Sequence, residues 1–248
     1  MQMQMCRVVV AIAFLAATAA RAEQIVGSYA CNEGSGLTIF DSSPIANHGT
    51  ISSDAMWSAP GYDGTGCCLH YAGTNSQDEA TVPHHSLLNF DGYISLSAWV
   101  NPSPSTWGIY PIIHKGQSQT AYTLQLNNYG GGHELEFMVN YNTGGVPFTV
   151  RSDHVIPYGE WTHVAATYDM EHVRLYVGGT LVKEEAVTIP IVNNSQPLYF
   201  GVDLPGFPER FDGYIDQPVI TVPEPAVLSL LTLAIVLLGR QRAVSVRI

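Results

Sequence analysis

The chain has 248 residues, 46% of them apolar, enough to build one sizeable packed domain and to exclude global disorder. Only 12% are charged and 10% aromatic, and the 23 glycines and 15 prolines favour strands and turns over helices. Residues 23–221 carry 20 acidic against 5 basic side chains, a net of −15 that repels phosphate backbones and excludes nucleic acid as a partner.

The first segment reads as an export signal. Met1 to Arg7 is a short positive region, Val8 to Ala20 is an apolar run, and Ala20-Arg21-Ala22 offers the small residues a signal peptidase requires. Residues 1–22 are therefore expected to be removed, leaving Glu23 first. The run is short for a retained membrane helix. Cys6 leaves with the signal, and Cys31, Cys67 and Cys68 enter a compartment that permits disulfides. Three cysteines allow one bridge, from Cys31 to either Cys67 or Cys68, with one thiol left over. Buried, unbridged thiols are the alternative.

The stretch "NEGSGLTIFDSSPIANHG" places Glu33, Asp41 and Asn47 in one glycine-rich segment, the oxygen donors a calcium ion takes. Asp41 and Asn47 are equally suited to forming turns through their own backbone. His84-His85 follows Pro83 in a turn and is expected to be solvated.

From residue 25 onward strand patterns dominate. "ISLSAWVNP" alternates Ile94, Leu96, Ala98 and Val100 with Ser95, Ser97, Trp99 and Asn101, until Pro102. Tyr122 to Leu126 and Glu134 to Tyr141 alternate likewise and form a hairpin across Gly130, Gly131 and Gly132. Glu134 and Glu136 have the spacing of a carboxyl pair, but no third acid follows on the strand, so both are expected to face solvent. Aromatics and amides flanking turns are candidate sugar contacts: Trp107, Tyr110, Asn127, Tyr129 and Tyr141. Trp161 to Tyr168, His172 to Val177 and Thr180 to Lys183 form a three-stranded meander, with Gly178-Gly179 as its second turn. "PLYFGV" and "FDGYIDQPVI" supply further strands, the last needing an edge or a bulge at Pro218, which lacks an N–H. No amphipathic helix of normal length falls between residues 23 and 221, so the fold class is all-β, a two-sheet antiparallel sandwich in one domain. No nucleophile elbow, zinc-protease helix or phosphate loop is present, and no catalytic constellation is identified.

The closing segment is apolar from Ala226 to Gly239, about 21 Å as a helix, shorter than a bilayer core of about 30 Å. Arg240, Arg242 and Arg247 follow, and such charges stay cytoplasmic, which leaves the acidic body outside. Pro223-Glu224-Pro225 keeps the chain extended before this helix.

Two resemblances follow from these residues. "GSYACNEGSGLTIFDSSPIANHG", "GCCLHYAG", "ISLSAWVNP", "GEWTHVAATYD", "VRLYVGGTLV", "LYFGV" and "FDGYIDQPVI", in that order, resemble a laminin G-like jelly roll of the concanavalin A-like lectin/glucanase group over residues 23–221. Gly178 departs from an Asp common at that position and Cys31 from an aromatic. The resemblance implies one structural calcium, with Asp216 as a further ligand beside Glu33, Asp41 and Asn47. Residues 222–248 resemble a PEP-CTERM sorting signal through Pro223, Glu224, Pro225, Arg240 and Arg242, which implies an exosortase-type processing enzyme. A plain membrane anchor is the alternative. Together these imply an exported bacterial envelope or matrix module that binds extracellular polysaccharide or a surface protein. A glycoside hydrolase on the same fold and a structural coat protein are the alternatives.

Overall fold

A computed structural model describes residues 23–73, 76–90, 93–104, 108–116, 120–128, 132–141, 143–203 and 209–223. The signal segment and the tail beyond Pro223, with Glu224, Pro225, Arg240 and Arg242, lie outside the described residues, as do Trp107 and Tyr129. Sixteen strands follow one another among them: β1 (Glu23–Ser28), β2 (Thr38–Ile39), β3 (Gly49–Ile51), β4 (Trp57–Ser58), β5 (Cys68–Ala72), β6 (Ala80–Val82), β7 (Ile94–Pro102), β8 (Gly108–Gly116), β9 (Thr120–Asn128), β10 (His133–Tyr141), β11 (Phe148–Ile156), β12 (Thr162–Tyr168), β13 (His172–Val177), β14 (Thr180–Ala186), β15 (Leu198–Phe200) and β16 (Asp212–Pro223). The described helical structure includes the short 3-10 turns Asp54–Met56 and Ser86–Leu88, and no described helix is long and apolar enough to cross a membrane.

The strands form two antiparallel sheets. One runs β14-β13-β12-β7-β16-β5-β4, with β1 also on β16, and the other runs β11-β10-β9-β8-β15-β6-β3-β2. In β7 the alternation seen in the sequence holds residue by residue: Ile94, Leu96, Ala98 and Val100 are buried between the sheets and their neighbours are half-exposed. Each such aliphatic removed from water contributes about 1.5–3 kcal/mol, with Ala98 contributing less. The opposing sheet meets them with Leu124 and Leu126 of β9 and Leu135 and Phe137 of β10 in the same core. The outermost strand β14 exposes Glu184 and Glu185 beside a half-buried Lys183, charges that discourage edge-to-edge pairing.

Pro218 sits inside the sheet, at a bulge. The register of β16 against β7 slips between Asp216 and Val219, and Gln217 takes φ 47°. On the other side of β16 the partner changes at the same place: Asp212–Ile215 pair with β5, and Val219–Pro223 pair with β1. The missing proline N–H thus falls where one neighbour ends and the next begins. The Gly178-Gly179 turn is also as expected, with φ +56° and +76° closing Val177 onto Thr180.

Candidate functional site

Strand β9 is buried along its whole length, on both faces. A strand that lines a sandwich normally buries one face only. The core face of β9 is Tyr122, Leu124 and Leu126, and the residues between them, Thr123, Gln125 and Asn127, point away from the core yet are at most 4% exposed. Cross-strand pairing extends this outer face: Gln125 opposes Glu136 of β10, which opposes Arg151 of β11, while Thr123 opposes His114 of β8.

Glu136 is the hub. Its Oε1 accepts from Gln125 Nε2 at 2.5 Å, and its Oε2 from Asn127 Nδ2 at 3.2 Å and from Arg151 Nε and Nη2 at 2.7 and 2.6 Å. The expectation that Glu136 faces solvent is therefore corrected. It is 3% exposed, and Arg151 forks onto it while remaining 41% exposed itself. Three of these four bonds fall on Oε2 and one on Oε1, so the carboxylate is held in place and in turn orients the amides around it. Asn127 Oδ1 has no hydrogen-bond partner, nor does His114 Nδ1, and both are buried.

His114 Nε2 approaches Asp203 Oδ1 to 3.0 Å, a proximity of groups rather than a formed hydrogen bond. Burial first, then the charge of Lys115, pushes the His114 imidazole down to about 3, so it is neutral. Burial raises Asp203 to about 8, helped by a hydrogen bond and by the charge of Glu209.

The residues predicted for calcium do not assemble around an ion. Asp41 Oδ1 accepts from the N–H groups of Ser28 and Ser43, and its Oδ2 from Ser43 Oγ and the Asn47 N–H, at 2.8–2.9 Å. Three of these four donors come from the turn at Ser43–Asn47 and the fourth from Ser28 of β1. Asn47 turns its amide to the Pro83 carbonyl at 2.9 Å, and Glu33 accepts from the Phe40 N–H. Asp216 accepts from the N–H groups of Tyr62 and Gln217 at 3.0 and 2.8 Å. Among the described residues no group of three or more His, Cys, Asp or Glu side chains is placed to hold a metal. The arrangement does not fit a calcium ion.

The expected disulfide is corrected as well. Cys31, Cys67 and Cys68 are free thiols. Cys31 Sγ points to the Tyr29 carbonyl at 3.6 Å, and Cys68 Sγ to the carbonyls of Ser58 and Pro60 at 3.6 and 3.8 Å. The Cys31 and Cys68 sulfurs thus address different carbonyls.

Of the predicted sugar contacts, Asn127 belongs to the buried outer face, and Tyr141 ends β10 with 52% of its surface exposed. Tyr110 is corrected: it lies in β8 on the core side, its ring 4.5 Å from His133 and 6.5 Å from Phe211. Sequence reasoning missed His114, Gln125 and Arg151. Their signal was the row of amides and charges at alternate positions of neighbouring strands.

The family model described as the concanavalin A-like lectin/glucanases superfamily, Laminin_G_3, matches residues 73–221. The chain belongs to that superfamily. No curated protein matches it. Among solved structures, this superfamily member is similar to domain 4 of AbnA, a GH43 extracellular arabinanase from Geobacillus stearothermophilus, in complex with arabinotriose. The identity is 20% and the TM-score 0.61, over 81% of this chain and 93% of that one. It is similar to the binding domain of Paraclostridial Mosquitocidal Protein 1 at 17% identity and TM-score 0.62, over 79% of this chain and 48% of the other. It is also similar to a botulinum neurotoxin type C structure whose cell entry depends on two ganglioside molecules, at 16% identity and TM-score 0.58, over 79% and 47%. The chain spans about half the length of the two toxin structures. At these identities the likeness is one of fold.

Proposed function

We propose that this superfamily member is a non-catalytic carbohydrate-binding module of the cell envelope or extracellular matrix, and that it takes neutral glycan at the outer face of β8, β9 and β10. One observation carries the reading: Gln125, Asn127 and Glu136 form a buried amide–carboxylate cluster on the side of the sheet away from the core, and Asn127 Oδ1 there has no partner. A buried polar atom without a partner costs about 1–3 kcal/mol, and a ligand hydroxyl would recover it. A sugar hydroxyl can donate to Asn127 Oδ1 and still accept from another group. The net charge of −15 over residues 23–221 disfavours acidic glycans. A fold shared with an arabinanase domain solved with arabinotriose is in keeping with such a role.

Delivery completes the proposal: residues 1–22 direct export, and residues 222–248 hold the module at the membrane or pass it to an exosortase-type enzyme. The test is a glycan array probed with the full-length protein, wild type and Asn127→Ala. Binding to neutral polysaccharides that falls at least tenfold in the variant supports the reading, and equal binding by both proteins, or silence on every glycan, overturns it. Cell fractionation reports separately on export.

A further inference from the structure

The opposite sheet carries aromatic rings on its own outer face, where polar residues are expected. Trp99 stands at the position after Ser95 and Ser97 on the outward side of β7, between buried Ala98 and Val100. His163 of β12 opposes it on one side and Asp216 of β16 on the other. Tyr62 lies stacked over the indole at 4.4 Å and 20°, and the His163 ring meets its edge at 5.3 Å. Asp216, 2% exposed, holds the Tyr62 backbone in place by accepting its N–H.

A second row lies beside the first. Asn101 opposes Tyr214, which opposes His70. The Tyr214 ring lies 4.9 Å from the His70 ring and 6.2 Å from that of Trp161, which stands two residues before His163. Six half-exposed rings thus form a ledge across β12, β7, β16 and β5, about 14 Å wide at the usual spacing of strands.

We infer that this ledge, including Trp161 and Tyr214, is a second binding subsite that takes neutral sugar rings by stacking, on the face opposite the Glu136 cluster. The inference rests on the carbohydrate-binding reading proposed above and adds a place and a mode of contact. Flat aromatic faces pair with the apolar C–H faces of a sugar ring, while the Asn101 amide and the Tyr214 hydroxyl beside them suit its hydroxyl groups. Charge selects the class of sugar. Among the described residues, the arginine on this outer face, Arg174, is bound to Asp169 at 2.6 Å and to Glu184 at 2.8 Å, so it is not free to meet a carboxylate or sulfate. Subsites on both outer faces make the module bivalent, able to join two polysaccharide chains or to grip one chain that wraps around it.

The experiment titrates the full-length protein with arabinotriose, cellotriose and, as the anionic comparison, 3′-sialyllactose, reading intrinsic tryptophan fluorescence and heat. The wild type should bind a neutral trisaccharide with a change in fluorescence and leave the sialylated one unbound. Trp161→Ala with Tyr214→Ala should weaken that binding about tenfold and remove the fluorescence change. Trp161→Phe with Tyr214→Phe keeps the rings and should bind within a few-fold of wild type, which separates loss of stacking from loss of folding. If the double alanine variant binds and responds like wild type while Asn127→Ala does not bind, the ledge is overturned and the carbohydrate reading stands. If the wild type binds none of the three sugars, both fall. A wild type that sediments as a dimer and becomes monomeric in the double alanine variant assigns the ledge to self-association and overturns the inference.

Discussion

Arg151 places its guanidinium fork on Glu136, with Nε and Nη2 at 2.7 and 2.6 Å from the same carboxylate oxygen, although one side chain is 41% exposed and the other 3%. The arginine spans the boundary between solvent and a buried carboxylate, and its removal strands the acid. Arg151→Ala should therefore cost about 1–3 kcal/mol, less than a fully enclosed pair because solvent reaches one partner. Urea unfolding of the single variants and of Arg151→Ala with Glu136→Gln gives the double-mutant cycle. A coupling below about 0.5 kcal/mol would show that the pair is not what holds the cluster together.

His133 has both ring nitrogens buried and without partners, its ring packed 4.5 Å from Tyr110 and 5.0 Å from Tyr158. Burial pushes its pKa from 6.5 down to about 4. The unfolded chain then binds more protons between these values, so stability is full above pH 6.5 and is lost as pH falls toward 4. His114 acts with the same sign down to about 3, whereas Asp216, raised by burial to about 6, acts against both and favours the folded state as pH falls through 6. His133→Phe keeps the ring contacts and removes the proton uptake. It should gain about 1–2 kcal/mol at pH 4.5 relative to wild type and about equal it at pH 8. Equal loss of stability at both pH values would mean that the imidazole makes a bond the packing does not show.

Much of the sandwich was legible in single strands. The alternation in "ISLSAWVNP" gave β7 and its core face, and the paired glycines at 178 and 179 gave the turn into β14. The candidate site was less legible, because alternation says which residues face away from a core and not whether water reaches them. Gln125 and Glu136 have the spacing of wet positions, yet they are buried on the outer side of β9 and β10. Trp99 and Tyr214 were hidden in the opposite way: an aromatic search directed at turns passes over rings on the polar side of a strand, which the pairing of Trp99 with Asp216 and of Tyr214 with His70 brings together. The bond from the Ser28 N–H to Asp41 was not legible either, because only the folded chain brings β1 to that carboxylate.

Cys31, Cys67 and Cys68, in a chain proposed to be exported, invite a bridge, so their chemical state is a direct check. Burial, with the charge of Asp216 next in weight, pushes the Cys31 thiol well above its usual range and Cys68 up to about 12. A thiol alkylates as its thiolate, so these two should be inert in the native protein, while half-exposed Cys67 reacts. Iodoacetamide followed by peptide mass spectrometry should find Cys67 alone modified among the three in native protein, and all three after denaturation without reductant. A peptide linked through Cys31 would sink the free-thiol arrangement.

The turn between β13 and β14 isolates a backbone effect. Gly178 and Gly179 have φ of +56° and +76°, and a Cβ at either would meet nothing within 4 Å. An alanine there does not clash, so its cost is that of holding an L residue in the left-handed region, about 1–2 kcal/mol. Asn and Asp tolerate this region better, because their short polar side chains bond locally. Gly178→Ala should therefore lower the melting temperature by about 2–8 °C, Gly178→Val by more, and Gly178→Asn or Gly178→Asp by less than Gly178→Ala. If alanine and aspartate proved equally costly, φ would not be what requires glycine here, and the departure from the Asp common in similar domains would need another cause.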